Sequence, residues 1–114
     1  KLSNLIAFVD NNHLQIDGTT DEVCCLGNIR AKFEAFGWYV QNVNGHDVEA
    51  LDAAIENARK QEAQPCMIVM DTIKGHGWSQ AEGKVGCHSR NITPEDKQQV
   101  LQERQQPLDR IGGN

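Results

Sequence analysis

Apolar residues come in two kinds of block along the chain, short unbroken runs and longer stretches spaced for one face of a helix. Residues 5–10 (LIAFVD) form an apolar run closed by an acid. A strand covered on both faces of a parallel sheet has that pattern, because neither face meets water. Polar Asn11, Asn12 and His13 follow, and Asp17-Gly18 marks a turn. Leu26, Ile29, Phe33 and Phe36 then recur at helical spacing as far as Gly37, a fitting C-cap, which predicts a helix over about residues 29–36. Residues 38–43 (WYVQNV) read as a second strand, broken by Asn44-Gly45. Asp47 is placed to cap a second helix by accepting a free amide, and Val48, Leu51, Ala54, Ile55 and Ala58 form its stripe. Pro65 opens a third strand over residues 66–70 (CMIVM), again apolar throughout.

A long loop occupies residues 71–92. Thr93-Pro94-Glu95-Asp96 then starts a helix, with Thr as cap, Pro in the first turn and acids against the positive helix end. This helix is expected to end near Arg104, leaving a domain over residues 1–104 and a mobile tail over 105–114, where apolar periodicity stops. Strands alternating with helices predict an α/β fold, three-layer α/β/α with a mostly parallel sheet. Ligands of such sheets gather at the carboxyl ends of the strands. The two unusual loops, after Asp10 and after Asp71, both leave such ends.

Composition narrows the partners. A net charge of −5 with no visible basic patch argues against a nucleic-acid partner. No apolar run approaches the ~20 residues that span a bilayer, and no signal peptide is visible, so a cytoplasmic protein without a membrane partner is expected. Cys24 and Cys25 are adjacent and no C-x-x-C pair exists, which disfavours zinc. Cys66, inside an apolar run, reads as a small core hydrophobe.

In VDNNHLQIDG, the Asn12 side-chain oxygen and the Leu14 carbonyl have the spacing to offer two oxygens to a hard cation such as magnesium. On spacing alone an ordinary Asn-rich turn fits at least as well. The run NLIAFVDNNHLQIDGTTDEV resembles the second half of the thiamine diphosphate signature of transketolases, which opens with Gly-Asp-Gly and closes with an Asn pair. AKFEAFGW, NGHDVEAL, a Pro-led strand, DTIKGHG and GCHS follow in the family's order, so the resemblance covers residues 1 to about 104. It implies the thiamine diphosphate-binding fold and transfer of a two-carbon ketol unit between sugar phosphates. It implies that Asn12 and the Leu14 carbonyl ligate the magnesium or calcium that holds the diphosphate. Ile16 would pack against the cofactor, a core isoleucine being equally compatible. Lys74, in Lys74-Gly75-His76-Gly77, would approach the cofactor; a solvated surface lysine is the alternative. His88 would face cofactor and sugar and move protons at hydroxyl groups; an exposed loop histidine is the alternative. His46 reads as structural, and His13 and His76 could border the site.

The sequence departs from the family around His88. Cys87 stands where the family has Trp, Ser89 where it has Gly, and Asn91-Ile92 where Ala-Pro is usual. The Gly-Asp-Gly half, with its acidic metal ligand, is not in this stretch, nor is the pyrimidine-binding domain with the glutamate that activates the cofactor. The expectation is therefore a fragment or truncated relative of transketolase, with an incomplete fold, inactive alone. Its partner would be the rest of the parent enzyme or a pyrimidine-domain subunit, in a homo-oligomer acting on sugar phosphates. Two alternatives stand beside it: a non-catalytic interaction module, and part of another thiamine diphosphate enzyme such as deoxyxylulose-phosphate synthase or a two-oxoacid dehydrogenase component. The IDG and KGHG blocks favour transketolase.

Overall fold

The computed structural model describes the backbone of residues 1–112 and the side chains of residues 1–105. Along the chain come strand β1 (Ile6–Asn11), a hairpin of β2 (Leu14–Gln15) and β3 (Gly18–Thr19), and helices α1 (Thr20–Cys24) and α2 (Ile29–Ala35). Strand β4 (Tyr39–Asn44), helix α3 (Val48–Arg59), strand β5 (Cys66–Asp71), a 3-10 turn (Val85–Ser89) and helix α4 (Pro94–Gly112) follow. The main sheet is parallel, in the order β1-β5-β4. Its register places Asn11, Asp71 and Asn44 side by side at the carboxyl ends of the three strands.

The central strand explains the apolar run. Cys66 and Ile68 of β5 face α3, where Ala54 and Ala58 let the helix lie close to the sheet. Met67 and Val69 face the other way, with Val40, against Ile29 and Phe33 of α2. Three layers result, as the alternation of strands and helices predicts. Phe33 and Trp38 add an edge-to-face pair with centroids 5.6 Å apart. Coverage is poorest over β1, whose Phe8 is 47% exposed. The Cα radius of gyration is 17.5 Å and the extents are 50 × 44 × 16 Å. A compact domain of this length has a radius of gyration of about 13 Å. The chain is thus a slab rather than a ball.

Helix α2 begins at Ile29 as expected, because the Asn28 side chain accepts the Ala31 amide at 2.9 Å and caps it there. Other details differ from expectation. Leu26 lies before it, and Phe36 is 85% exposed at its C-cap, so neither belongs to the buried stripe. Val48 opens α3 but is exposed; Ala54 and Ala58 are the buried residues of that stripe. Helix α4 runs to Gly112 instead of ending near Arg104. Of the expected mobile tail, Gly113, Asn114 and the side chains from residue 106 lie outside the described residues. Among the described residues no helix is long and apolar enough to cross a membrane.

Helix α4 docks on the loop after β5 through carboxylates. Asp96, only 7% exposed, accepts the Thr93 amide at 3.0 Å and the Arg90 guanidinium at 2.8 Å. Arg90 also lies over the Trp78 ring, 4.5 Å from its centroid. Glu103 accepts the Ser79 amide at 2.9 Å and its hydroxyl at 2.5 Å. The Thr93 amide holds the Asp96 carboxyl below its ordinary range, and the Ser79 bonds do the same for Glu103. A carboxylate lowered by folding stabilises above its unfolded pKa and stops doing so as pH falls through the folded value. Amide exchange at Ser79 and Thr93, corrected for intrinsic rate, is therefore expected to accelerate only below about pH 4. Protection unchanged down to about pH 2 would show that these bonds do not hold α4.

Candidate functional site

The loop after β1 is a tight turn built on two residues. Asn12 Oδ1 accepts the Leu14 amide at 3.1 Å, and His13 takes the left-handed conformation with φ 62°. His is among the few non-glycine residues that adopt it with modest strain. The His13 carbonyl is held by the Thr20 amide at 2.9 Å. This Asx turn fixes the Asn12 oxygen while leaving it a second lone pair. Leu14 opens the hairpin, and Ile16, 52% exposed, stands at the tip between β2 and β3. Thr19 then caps α1 with Glu22 in a reciprocal box, and bonds from Thr19 hold the Glu22 carboxyl below its usual range.

The loop after β5 is stapled to this turn. The Thr72 amide donates to the Asn11 carbonyl at 3.3 Å, and the Thr72 hydroxyl bonds the Asp10 carboxylate. His13 Nε2 meets Asp71 Oδ1 at 2.6 Å. Beyond the staple, Lys74 Nζ lies 3.4 Å from His88 Nδ1, because the 3-10 turn over Val85–Ser89 returns the chain to the lysine. Gly75 and Gly77 both have positive φ, 74° and 88°. A Cβ on Gly75 would meet the Ala81 carbonyl oxygen at 2.8 Å, so this glycine allows the chain to approach itself.

The residues singled out from the sequence thus fall into two groups, Asn12 with Leu14 and Lys74 with His88, on neighbouring loops at one edge of the sheet. A groove along that edge is lined by His13, Asn42, Asn44, His46, Asp71 and His76 among others, and Asn12, Ile16, Lys74 and His88 do not line it. His46 and His76 stack with centroids 3.8 Å apart. Sequence reasoning missed this pair, since no local spacing links a helix-cap neighbour to a glycine-rich loop. Glu82 bonds the Gly77 amide and His76, and those bonds lower its carboxyl pKa. Among the described residues no three His, Cys, Asp or Glu side chains are grouped to hold a metal. The Asx turn presents neutral oxygens, which suits part of the shell of a hard, oxygen-ligated cation.

A parallel sheet with two stapled loops at its carboxyl edge defines an α/β protein with its ligand region between adjacent strands. The sequence matches the family described as transketolase, thiamine diphosphate binding domain, over residues 1–106. The chain belongs to the transketolase family, within its thiamine diphosphate-binding domain. It is similar to a 6-deoxy-6-sulfo-D-fructose transketolase subunit of Clostridium sp. (strain MSTE9), 43% identical over 83% of this chain and 34% of that one. An apulose-4-phosphate transketolase subunit of Phocaeicola vulgatus is 33% identical over 97% of this chain and 40% of its own length. The crystal structure of transketolase from Campylobacter jejuni superimposes with a TM-score of 0.82 at 31% identity, covering 90% of this chain and 16% of that one. The chain therefore spans 34 to 40% of the two subunit relatives, and a smaller part of a complete transketolase.

Proposed function

We propose that this chain supplies the metal-turn and lysine–histidine part of a transketolase site that moves a two-carbon ketol unit between sugar phosphates. The observation that carries the reading is the stapling of the Asn12 turn to the loop of Lys74 and His88. Bound thiamine diphosphate supplies the chemistry that breaks and remakes the carbon–carbon bond. Asn12 Oδ1 and the Leu14 carbonyl offer oxygens to the magnesium or calcium that neutralises the diphosphate. The Lys74 ammonium adds a positive charge on the same side, and Ile16, exposed at the hairpin tip, gives the cofactor an apolar contact. An ammonium has only donors, so His88 Nδ1 accepts from Lys74 and Nε2 carries the ring proton. That leaves Nε2 as the atom that exchanges protons with a sugar hydroxyl.

Two neutral oxygens and one lysine are too few to bind the metal and cofactor tightly, so the remaining ligands and the activating acid come from the rest of the enzyme or a pyrimidine-domain partner. The sparsely covered Phe8 face and unpaired outer edge of β1 suit such an assembly.

The test has two arms. This chain alone, with thiamine diphosphate and magnesium, is expected to give no ketol transfer. In the assembled enzyme, Lys74→Met is expected to weaken thiamine diphosphate about 10- to 100-fold by calorimetric titration, the worth of a charged hydrogen bond. Unchanged affinity would remove Lys74 from the site, and turnover by the isolated chain would contradict its dependence on other parts.

A further inference from the structure

The turn after β4 is pressed onto the chain leaving β5. The Gly45 amide donates to the Asp71 carbonyl at 2.8 Å, and a Cβ on Gly45 would lie 2.9 Å from Met70 Cβ. The next residue, His46, accepts the Ile73 amide on Nε2 at 2.8 Å. Its ring also stacks on His76, with an interplanar angle of 29°. One imidazole therefore touches both ends of the four-residue segment that contains Lys74. A ring nitrogen that accepts a hydrogen bond carries no proton, so His46 is neutral and protonated on Nδ1. The Lys74 carbonyl is itself tied down by the Gly83 amide at 2.9 Å. With its backbone fixed from both sides, Lys74 can reach His88 only in a narrow range of directions.

We propose that His46 is a positioning residue, whose neutral ring anchors the Ile73 to His76 segment and thereby aims the Lys74 ammonium. The proposal rests on the assignment of Lys74 to the diphosphate made above. Protonation turns Nε2 from an acceptor into a donor facing the Ile73 N–H, so the anchor is lost when His46 takes up a proton. Other polar groups surround the ring. His76 is stacked on it, Glu82 bonds His76 at 3.3 Å, and Asp71, bonded to His13, lines the same groove. Asp47, on the same turn, is occupied by the Ala50 amide at 3.0 Å.

Nitrogen-15 spectra of the full chain read the tautomer, and amide exchange reads the anchor. His46 is expected as the Nδ1–H tautomer, with the Ile73 amide protected by its bond to Nε2. His46→Ala should speed Ile73 exchange about tenfold. His46→Gln, which keeps an acceptor oxygen, should restore most protection. An Nε2–H tautomer, or Ile73 exchange unchanged in His46→Ala, overturns the anchor. In the assembled enzyme, calorimetric titration with thiamine diphosphate and magnesium completes a double-mutant cycle. His46→Ala should weaken binding about tenfold alone and add nothing on the Lys74→Met background. Equal losses on both backgrounds overturn positioning through Lys74. A Lys74→Met variant with unchanged affinity overturns the functional reading, a failure visible separately from that of the anchor.

Discussion

Ile68→Ala is expected to destabilise the chain by about 2–5 kcal/mol. Ile68 is 0% exposed, at the middle of the central strand, and packs with Ala54, Ala58 and Cys66. Its register partners are Phe8 on one side and Gln41 on the other. The Gln41 amide is committed to the Ala54 carbonyl at 2.8 Å, and the larger neighbours Ile6, Tyr39, Ile55 and Met70 already pack against this cluster, so refilling the space would pull them from their present contacts. Total stabilities run to about 0.05–0.15 kcal/mol per residue, so the loss would be a large share of the whole in a slab with a thin core. Urea unfolding should show a lower midpoint with an unchanged slope. A loss under about 1 kcal/mol would mean that the sheet collapses around the gap more completely than the α3 contact allows.

Gly45→Val is expected to cost about 1–3 kcal/mol and to loosen the loop after β5. Gly45 is not in the left-handed region, so the cost is steric rather than conformational. A Cβ there would collide with the Thr72 side chain and lie 3.3 Å from the Asp71 carbonyl oxygen, the acceptor of the Gly45 amide. The turn has to back away, and the Gly45–Asp71 bond and the His46–Ile73 bond stretch together. Thermal unfolding gives the stability term, and Ile73 exchange gives the local one. Wild-type protection of Ile73 in a folded Gly45→Val protein would show that the two bonds are independent.

What the sequence discloses depends on how local the determining contact is. β1 and β5 are legible because both faces of each run are apolar, and α3 because Asp47 caps a periodic stripe. The β2–β3 hairpin and α1 escape that reading. They are too short for periodicity, and the Thr19–Glu22 box that starts α1 is a polar signal. The early end placed on α4 follows from judging its tail by apolar spacing alone, in a helix whose docking side chains are Asp96, Gln99 and Glu103. At the site, Asn12 and Leu14 are visible as a short motif. The nearness of Lys74 to His88 depends on a 3-10 turn inside an unpatterned loop, and the His46–His76 stack on two loops meeting above the sheet. Family blocks can point to such residues, whereas their contacts belong to the tertiary fold.

The strand order also has a consequence for how the chain reaches this structure. Among the strands of the described residues, β5 comes last in sequence and lies in the middle in space, so β1 and β4 share no ladder with each other. Ile6 waits for Cys66, and Tyr39 waits for the same residue. Until β5 arrives, these two apolar strands lack their common partner, and closing the loop back to β1 is paid for in chain entropy before either ladder forms. Parallel pairings across long sequence separations fold slowly and leave unpaired edges open to wrong partners meanwhile. The three described strands therefore gain nothing by degrees; they pair around β5, once residues 66–71 are free to enter between the other two.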